Sequence, residues 1–169
     1  MKKGFCLIIF SFFVFTATTF AQQKYGHINS LDILDAMPEY KQLMTTLNSR
    51  ENQYKAQLQK MTSDYQQKNE ELQKYGEAMM EAVREERMKE LQSLQQNMES
   101  FQGTASSEME TLQQKLMKPL NDKYLKIVGI VAKENGYAYI FDLAGGAVVY
   151  YPESSGDITS LVKTKMGIN

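Results

Sequence analysis

The sequence predicts an α+β protein: a long antiparallel helical hairpin, a coiled-coil arm, projecting from a small β-sheet body that oligomerises through the sheet. Three observations predict it. Residues Tyr40 to Val131 hold no convincing strand and are written in Gln, Glu, Lys, Met, Leu and Tyr. Within them apolar residues recur on a seven-residue period, which keeps one narrow face of a helix turned to a partner. Stiff β-branched apolar residues avoid this stretch: from Leu34 to Lys126 there is no isoleucine and one valine, Val83. Ile28, Ile33, Ile127, Val131, Ile140, Val148, Val149, Ile158 and Val162 lie outside it, so the body is rigid and the Met-rich arms are soft.

The chain of 169 residues suffices for one ordinary domain. Its start is a targeting segment. Lys2 and Lys3 precede an apolar run from Phe5 to Phe15, and Thr19-Phe20-Ala21 ends it with small residues at the positions a signal peptidase reads. Residues 1–21 therefore read as a secretory signal cleaved near Ala21, too short in its apolar run for a spanning helix. Cys6, the only cysteine, is removed with it, which leaves no disulfide and no cysteine metal site. Without Lys2 and Lys3 the chain has 17 basic and 20 acidic residues, and this mild acidity gives no case for nucleic acid.

Residues 22–37 begin the body. Lys24 to Leu31 reads as a strand and Leu31 to Ala36 as a helical turn. Pro38 suits the first turn of a helix, where its missing N–H costs nothing, and Glu39 complements the helix dipole. The arms then occupy residues 38–134. Their first half carries the seam Met44/Leu47, Glu51/Tyr54, Leu58/Met61, Tyr65/Lys68, Leu72/Tyr75 and Met79/Ala82, ten of whose twelve positions are apolar. The second half carries Leu94, Met98, Phe101, Ala105, Met109, Leu112, Leu116, Leu120, Tyr124, Ile127 and Val131, with consecutive steps of four that shift the register. One unbroken helix would be a rod of about 140 Å, so a hairpin that lets the seams meet is expected, with arms of about 60 Å. The tip falls near residues 76–83, at Gly76; Gly103 is a flexible point and Pro119 a kink.

Residues 135–169 complete the body. Gly136 suits a helix C-terminus. Tyr137 to Leu143 and Ala147 to Tyr151 read as the two strands of a β-hairpin around Ala144-Gly145-Gly146. A last helix starts at Asp157 or Thr159. Three short strands and one helix bury little area and leave unpaired edges, so the sheet is expected to pair across identical subunits.

The closing segment AKENGYAYIFDLAGGAVVYYPESSGDITSLVKTKMGI resembles the end of the Skp/OmpH family of periplasmic chaperones. The family's "Y-x-Y-hydrophobic-D" strand and "D-I-T" helix start stand here as Tyr137, Tyr139, Asp142 and Asp157-Ile158-Thr159. Met37-Pro38-Glu39-Tyr40 is similar to the family's strand-to-helix junction. The resemblance implies a homotrimer with a shared β-barrel body. Its helical arms hold unfolded outer-membrane proteins in the cavity between them, without ATP. In one respect the chain departs: best-known members have basic arms, whereas Lys68–Glu90 has five basic residues against seven acidic.

Such a holdase needs weak apolar contacts and no cofactor. The arm candidates for client contact are Tyr54, Met61, Tyr65, Tyr75, Met79, Met80, Met98, Phe101 and Met109. They are also the seam between the helices, which leaves off-seam Met80 and tip-adjacent Met79 freest for a client. The candidates for the oligomer body are Ile28, Ile140, Phe141, Val148, Val149 and Tyr150. Expected partners are unfolded outer-membrane proteins, further copies of the chain and, transiently, a membrane surface. No catalytic constellation emerges: His27 is the one histidine, Glu70/Glu71 and Glu85/Glu86 are solvated charge, and no helix N-terminus follows Gly145-Gly146. The competing expectation is a structural coiled-coil adaptor of the cell envelope binding one folded partner, which would favour a stiffer Leu/Ile seam.

Overall fold

A computed structural model describes residues 23–152 and 156–168. The expected signal peptide, residues 1–21, lies outside the described residues. Strand β1 (Lys24–Ile28) leads into helix α1 (Ser30–Ala36), whose first turn is capped by Asn29: its side-chain oxygen accepts from the Leu31 amide at 3.2 Å. Pro38 disfavours helical geometry at Met37, which is extended at φ −76°, ψ 123°. The chain therefore breaks there and restarts as α2 (Pro38–Tyr75). A single 3-10 turn, Gly76–Ala78, and two extended residues, Met79 and Met80, reverse the chain into α3 (Glu81–Glu134). At about 1.5 Å per residue, α2 is about 57 Å long and α3 about 81 Å, so α3 returns past the start of α2 into the body. It runs through both Gly103 and Pro119.

After α3 the chain turns at Gly136, whose φ of +69° favours glycine, into β2 (Tyr137–Asp142). The short β3 (Gly156–Asp157) and α4 (Thr159–Met166) complete it. The sheet order is β2-β1-β3, with both pairings parallel. Parallel neighbours need a crossover, and the arm is the crossover from β1 to β2. Side-chain bonds lock the strand ends: Asp142 Oδ1 accepts from the Ser30 and Ala144 amides at 3.1 Å each, and Thr159 Oγ1 accepts from the Asn29 amide at 3.1 Å.

The core lies between one face of the sheet and the helices. Ile28, Ile33, Tyr124, Val131, Ile158 and Val162 are buried together, flanked by Ile140 and Tyr137. A second cluster of Met37, Leu43 and Leu120 fixes the root of the arm. Beyond that root coverage thins. The buried residues of α2 and α3 between root and tip are Leu43, Leu91 and Leu120, and the rest of the seam is half-covered at best.

Two expectations are corrected. The β-hairpin does not form: Ala147–Tyr151 is not a strand, and Gly156–Asp157 supplies the third one. The inner edge of β2 is already taken by β1, and the turn at Leu143–Gly146 sends the next residues across the sheet face, where Tyr151 meets His27. The seam also differs at both ends of α2. Leu43 is buried and Met44 is 41% exposed, while Tyr75 is exposed and Gly76 buried. Between those ends the expected period holds: Leu47, Tyr54, Leu58, Met61, Tyr65, Lys68 and Leu72 are all half-buried.

Candidate functional site

Two apolar surfaces stand out. The first is the arm. Its helices are tied by few polar contacts. Lys123 Nζ donates to Glu39 at the root, the Tyr54 hydroxyl donates to Glu108 midway, and Lys68 Nζ donates to Glu90 Oε1 at 2.6 Å near the tip. The bond from Lys123 holds the Glu39 carboxyl below its ordinary range, and those from Lys68 and Arg87 do the same for Glu90. The carboxylate of Glu108 pushes the Tyr54 phenol upward. Tyr54 also meets Phe101 edge-on, centroids 5.9 Å apart at 72°.

Of the shallow hollows that open between the helices, two take in five of the arm candidates. One of about 210 Å³ is lined by Tyr54, Leu58, Phe101, Ala105 and Met109. The other, about 200 Å³ at the tip, is lined by Leu72, Tyr75 and Met79 with Lys68, Glu71 and Arg87 at its rim. Of the nine arm candidates, Tyr54, Met61, Tyr65, Met79, Met98, Phe101 and Met109 are half-buried in the seam. Tyr75 and Met80 are exposed, Met80 at 75%. Sequence reasoning missed Met88, which is 56% exposed; its signal was an apolar residue off the seam within Glu85-Glu86-Arg87-Met88.

The second surface is the face of the sheet turned away from the core. Strand alternation places Tyr25 and His27 of β1 on it, beside Tyr139 and Phe141 of β2. The rings of Tyr25, Tyr139 and Phe141 stack with centroids 5.9–6.5 Å apart. Residues 147–152 cross the sheet and leave a mostly apolar groove of about 540 Å³. Val149 is 98% and Tyr150 81% exposed. Of the six body candidates, Ile28 and Ile140 turn inward to the chain's own core, whereas Phe141, Val149 and Tyr150 point outward and Val148 is half-buried. Tyr25, Tyr139 and Tyr151 belong to this face and were missed; strand alternation beside Phe141 was the available signal.

His27 is buried, in ring contact with Tyr151 at 4.8 Å, which is a packing role. Among the described residues no group of His, Cys, Asp or Glu could hold a metal ion, and no helix is long and apolar enough to cross a membrane.

Comparison with known proteins agrees with this architecture. The family model described as "Outer membrane protein (OmpH-like)" matches residues 24–166. No curated protein matches the sequence. Among solved structures, the chain is similar to a candidate outer membrane chaperone (OmpH-like) from Caulobacter crescentus CB15. The TM-score is 0.70 at 16% identity, over 85% of this chain and 83% of that one.

Proposed function

The chain belongs to the OmpH-like family of outer membrane proteins, and from that premise we propose that it is an ATP-independent periplasmic holdase. Its clients are unfolded outer-membrane proteins, kept from aggregating between its helical arms. The observation that carries this reading is the half-covered seam: between Leu43 and Leu120, Leu91 is the one large apolar side chain of α2 and α3 that is buried. An arm built for a fixed partner would close that seam. This one keeps Met and Tyr within reach of a passing chain.

The energetics suit transient holding. A fully desolvated apolar side chain contributes about 1.5–3 kcal/mol, so the about 8 kcal/mol of a micromolar complex takes many partly covered ones acting together. No single contact then fixes a client sequence. Met, unbranched and flexible, adapts to different client shapes.

In the same reading the open aromatic face of the sheet is the seam between copies. Three chains joined there hang three arms around one cavity, and residues 1–21 direct export. Membrane-surface contact at the tips is transient. The decisive test is light scattering after a urea-unfolded outer-membrane barrel protein is diluted into buffer with and without residues 22–169. Suppression near one oligomer per client, without nucleotide, is expected. Undiminished scattering across several clients would overturn the reading in favour of an envelope adaptor.

A further inference from the structure

Resting on the holdase reading, we propose that Met79, Met80 and Met88 form an oxidant-responsive modification site at the arm tip, where sulfoxidation releases clients. Ten methionines fall within the described residues, and the two most exposed, Met80 at 75% and Met88 at 56%, both lie by the turn. Met37, at the arm root, has no exposure. Met79 and Met80 occupy the only non-helical residues between the 3-10 turn and α3, so no helix neighbour shields them on one side. Met88 sits about two turns into α3.

The tip's apolar surface is therefore mostly thioether. Its exposed large apolar side chains are Tyr75, Met80 and Met88, and half-buried Met79 lines the tip hollow with Tyr75 and Leu72. No isoleucine stands in this part of the chain, and Val83 is its one valine. Residues 23–168 contain no cysteine, so thioethers are the only oxidisable sulfur there. A tip built of leucine would have the same apolar area and no such chemistry.

The step is balanced with hydrogen peroxide as oxidant. A thioether lone pair attacks one peroxide oxygen and the O–O bond breaks. The departing oxygen takes the proton and leaves as water, while sulfur is oxidised to sulfoxide. The product is polar and chiral where an adaptable apolar group stood. Reversal uses two thiols, which become one disulfide as the sulfoxide oxygen leaves as water. The ends of the arms, first to meet reagents in bulk solvent, thus lose apolar contact while the body keeps its core.

The experiment treats the intact oligomer with hydrogen peroxide, follows each methionine by peptide mass spectrometry and measures client scattering in parallel. Met80 and Met88 are expected to oxidise at least about tenfold faster than Met37, with client affinity falling about tenfold as they do. Methionine sulfoxide reductase with a dithiol should restore it. The triple variant M79L/M80L/M88L, a size-conserving change at unburied positions, should lose no client affinity on peroxide treatment relative to its own untreated level, whatever that level is. Equal protection by treated and untreated wild type, loss of protection in the treated triple variant, or failure of the reductase to restore would each overturn the switch. Untreated wild type that protects no client would overturn the holdase reading beneath it, an outcome the untreated arm reads separately.

Discussion

The ring of Tyr137, the first residue of β2, lies across Gly26 of β1: a Cβ at Gly26 would stand 2.8 Å from Tyr137 Cε1. Gly156 of β3, the register partner of Gly26, completes the slot, since a Cβ there would stand 2.8 Å from the Tyr137 hydroxyl oxygen. Lys24 Nζ covers the ring, 4.1 Å from its centroid. The two glycines thus admit an aromatic ring that spans all three strands. Gly26→Ala should destabilise the body by about 1–3 kcal/mol, as overpacking does. Tyr137→Ala in the same chain should remove most of that penalty. A urea double-mutant cycle at fixed protein concentration measures the coupling; additive effects would mean the ring does not fill the slot.

The body and the arm should respond differently to truncation. Ile33 has no exposure, so Ile33→Ala leaves a cavity among Ile28, Tyr124 and Val162 and should cost about 2–5 kcal/mol. Met109 is half-exposed beside a hollow, and Met109→Ala should cost under about 1 kcal/mol. Equilibrium urea unfolding followed by circular dichroism compares them. Equal losses would show the arm to be packed as tightly as the body.

The arm was legible because its signal is local: apolar residues on one helical period need no knowledge of distant chain. Where two adjacent apolar residues compete, the period alone does not choose, and the fold took Leu43 over Met44 because Met37 and Leu120 sit on that side of the root. Ala147–Tyr151 shows the other limit. Its composition favours a strand, but distant chain decides: β1, more than a hundred residues earlier, pairs with the inner edge of β2, and the segment crosses the sheet face to His27 instead of pairing with the outer edge. The Tyr137 slot was invisible for the same reason, since Gly26 and Gly156 meet only in the folded sheet. On the arm, half-covered side chains followed the seam, whereas exposed Met88 fell outside any periodic argument.

Tyr124 makes the body sensitive to alkali. Burial, reinforced by the charge of Asp142 and opposed by a hydrogen bond with Ser30, pushes its phenol from 10.0 up to about 12. The folded state thus holds this proton more tightly than the unfolded chain. The stabilisation is fully present below pH 10 and is lost as pH rises towards 12, about 2–3 kcal/mol in all. Urea midpoints should fall across that window, and Tyr124→Phe should flatten the fall. Tyrosinate absorbance in native protein should show a late-titrating component that Tyr124→Phe diminishes; a component unchanged by Tyr124→Phe would mean the buried environment of Tyr124 is wrong.

Phe141 and Val149 offer the sharpest test of the proposal that copies meet at the sheet. Both point away from the chain's own core, on a face where Tyr25, Tyr139, Tyr150 and Tyr151 are also exposed. Contiguous apolar area of this kind is a liability in a monomer and marks an interaction surface. Neither side chain holds the body together, because the core lies on the opposite face with Ile28 and Ile140. Phe141→Asp or Val149→Asp should therefore leave helix content unchanged. In an interface between copies, the same aspartate would lose its water with no partner charge, a cost of several kcal/mol that such an interface cannot absorb. Sedimentation equilibrium should read an oligomer for the wild type and a monomer for either variant, and client protection should fall because single arms enclose no cavity. Variants that keep the wild-type mass would place the contact between copies elsewhere, and variants that lose helix content would tie this face to the fold of the single chain.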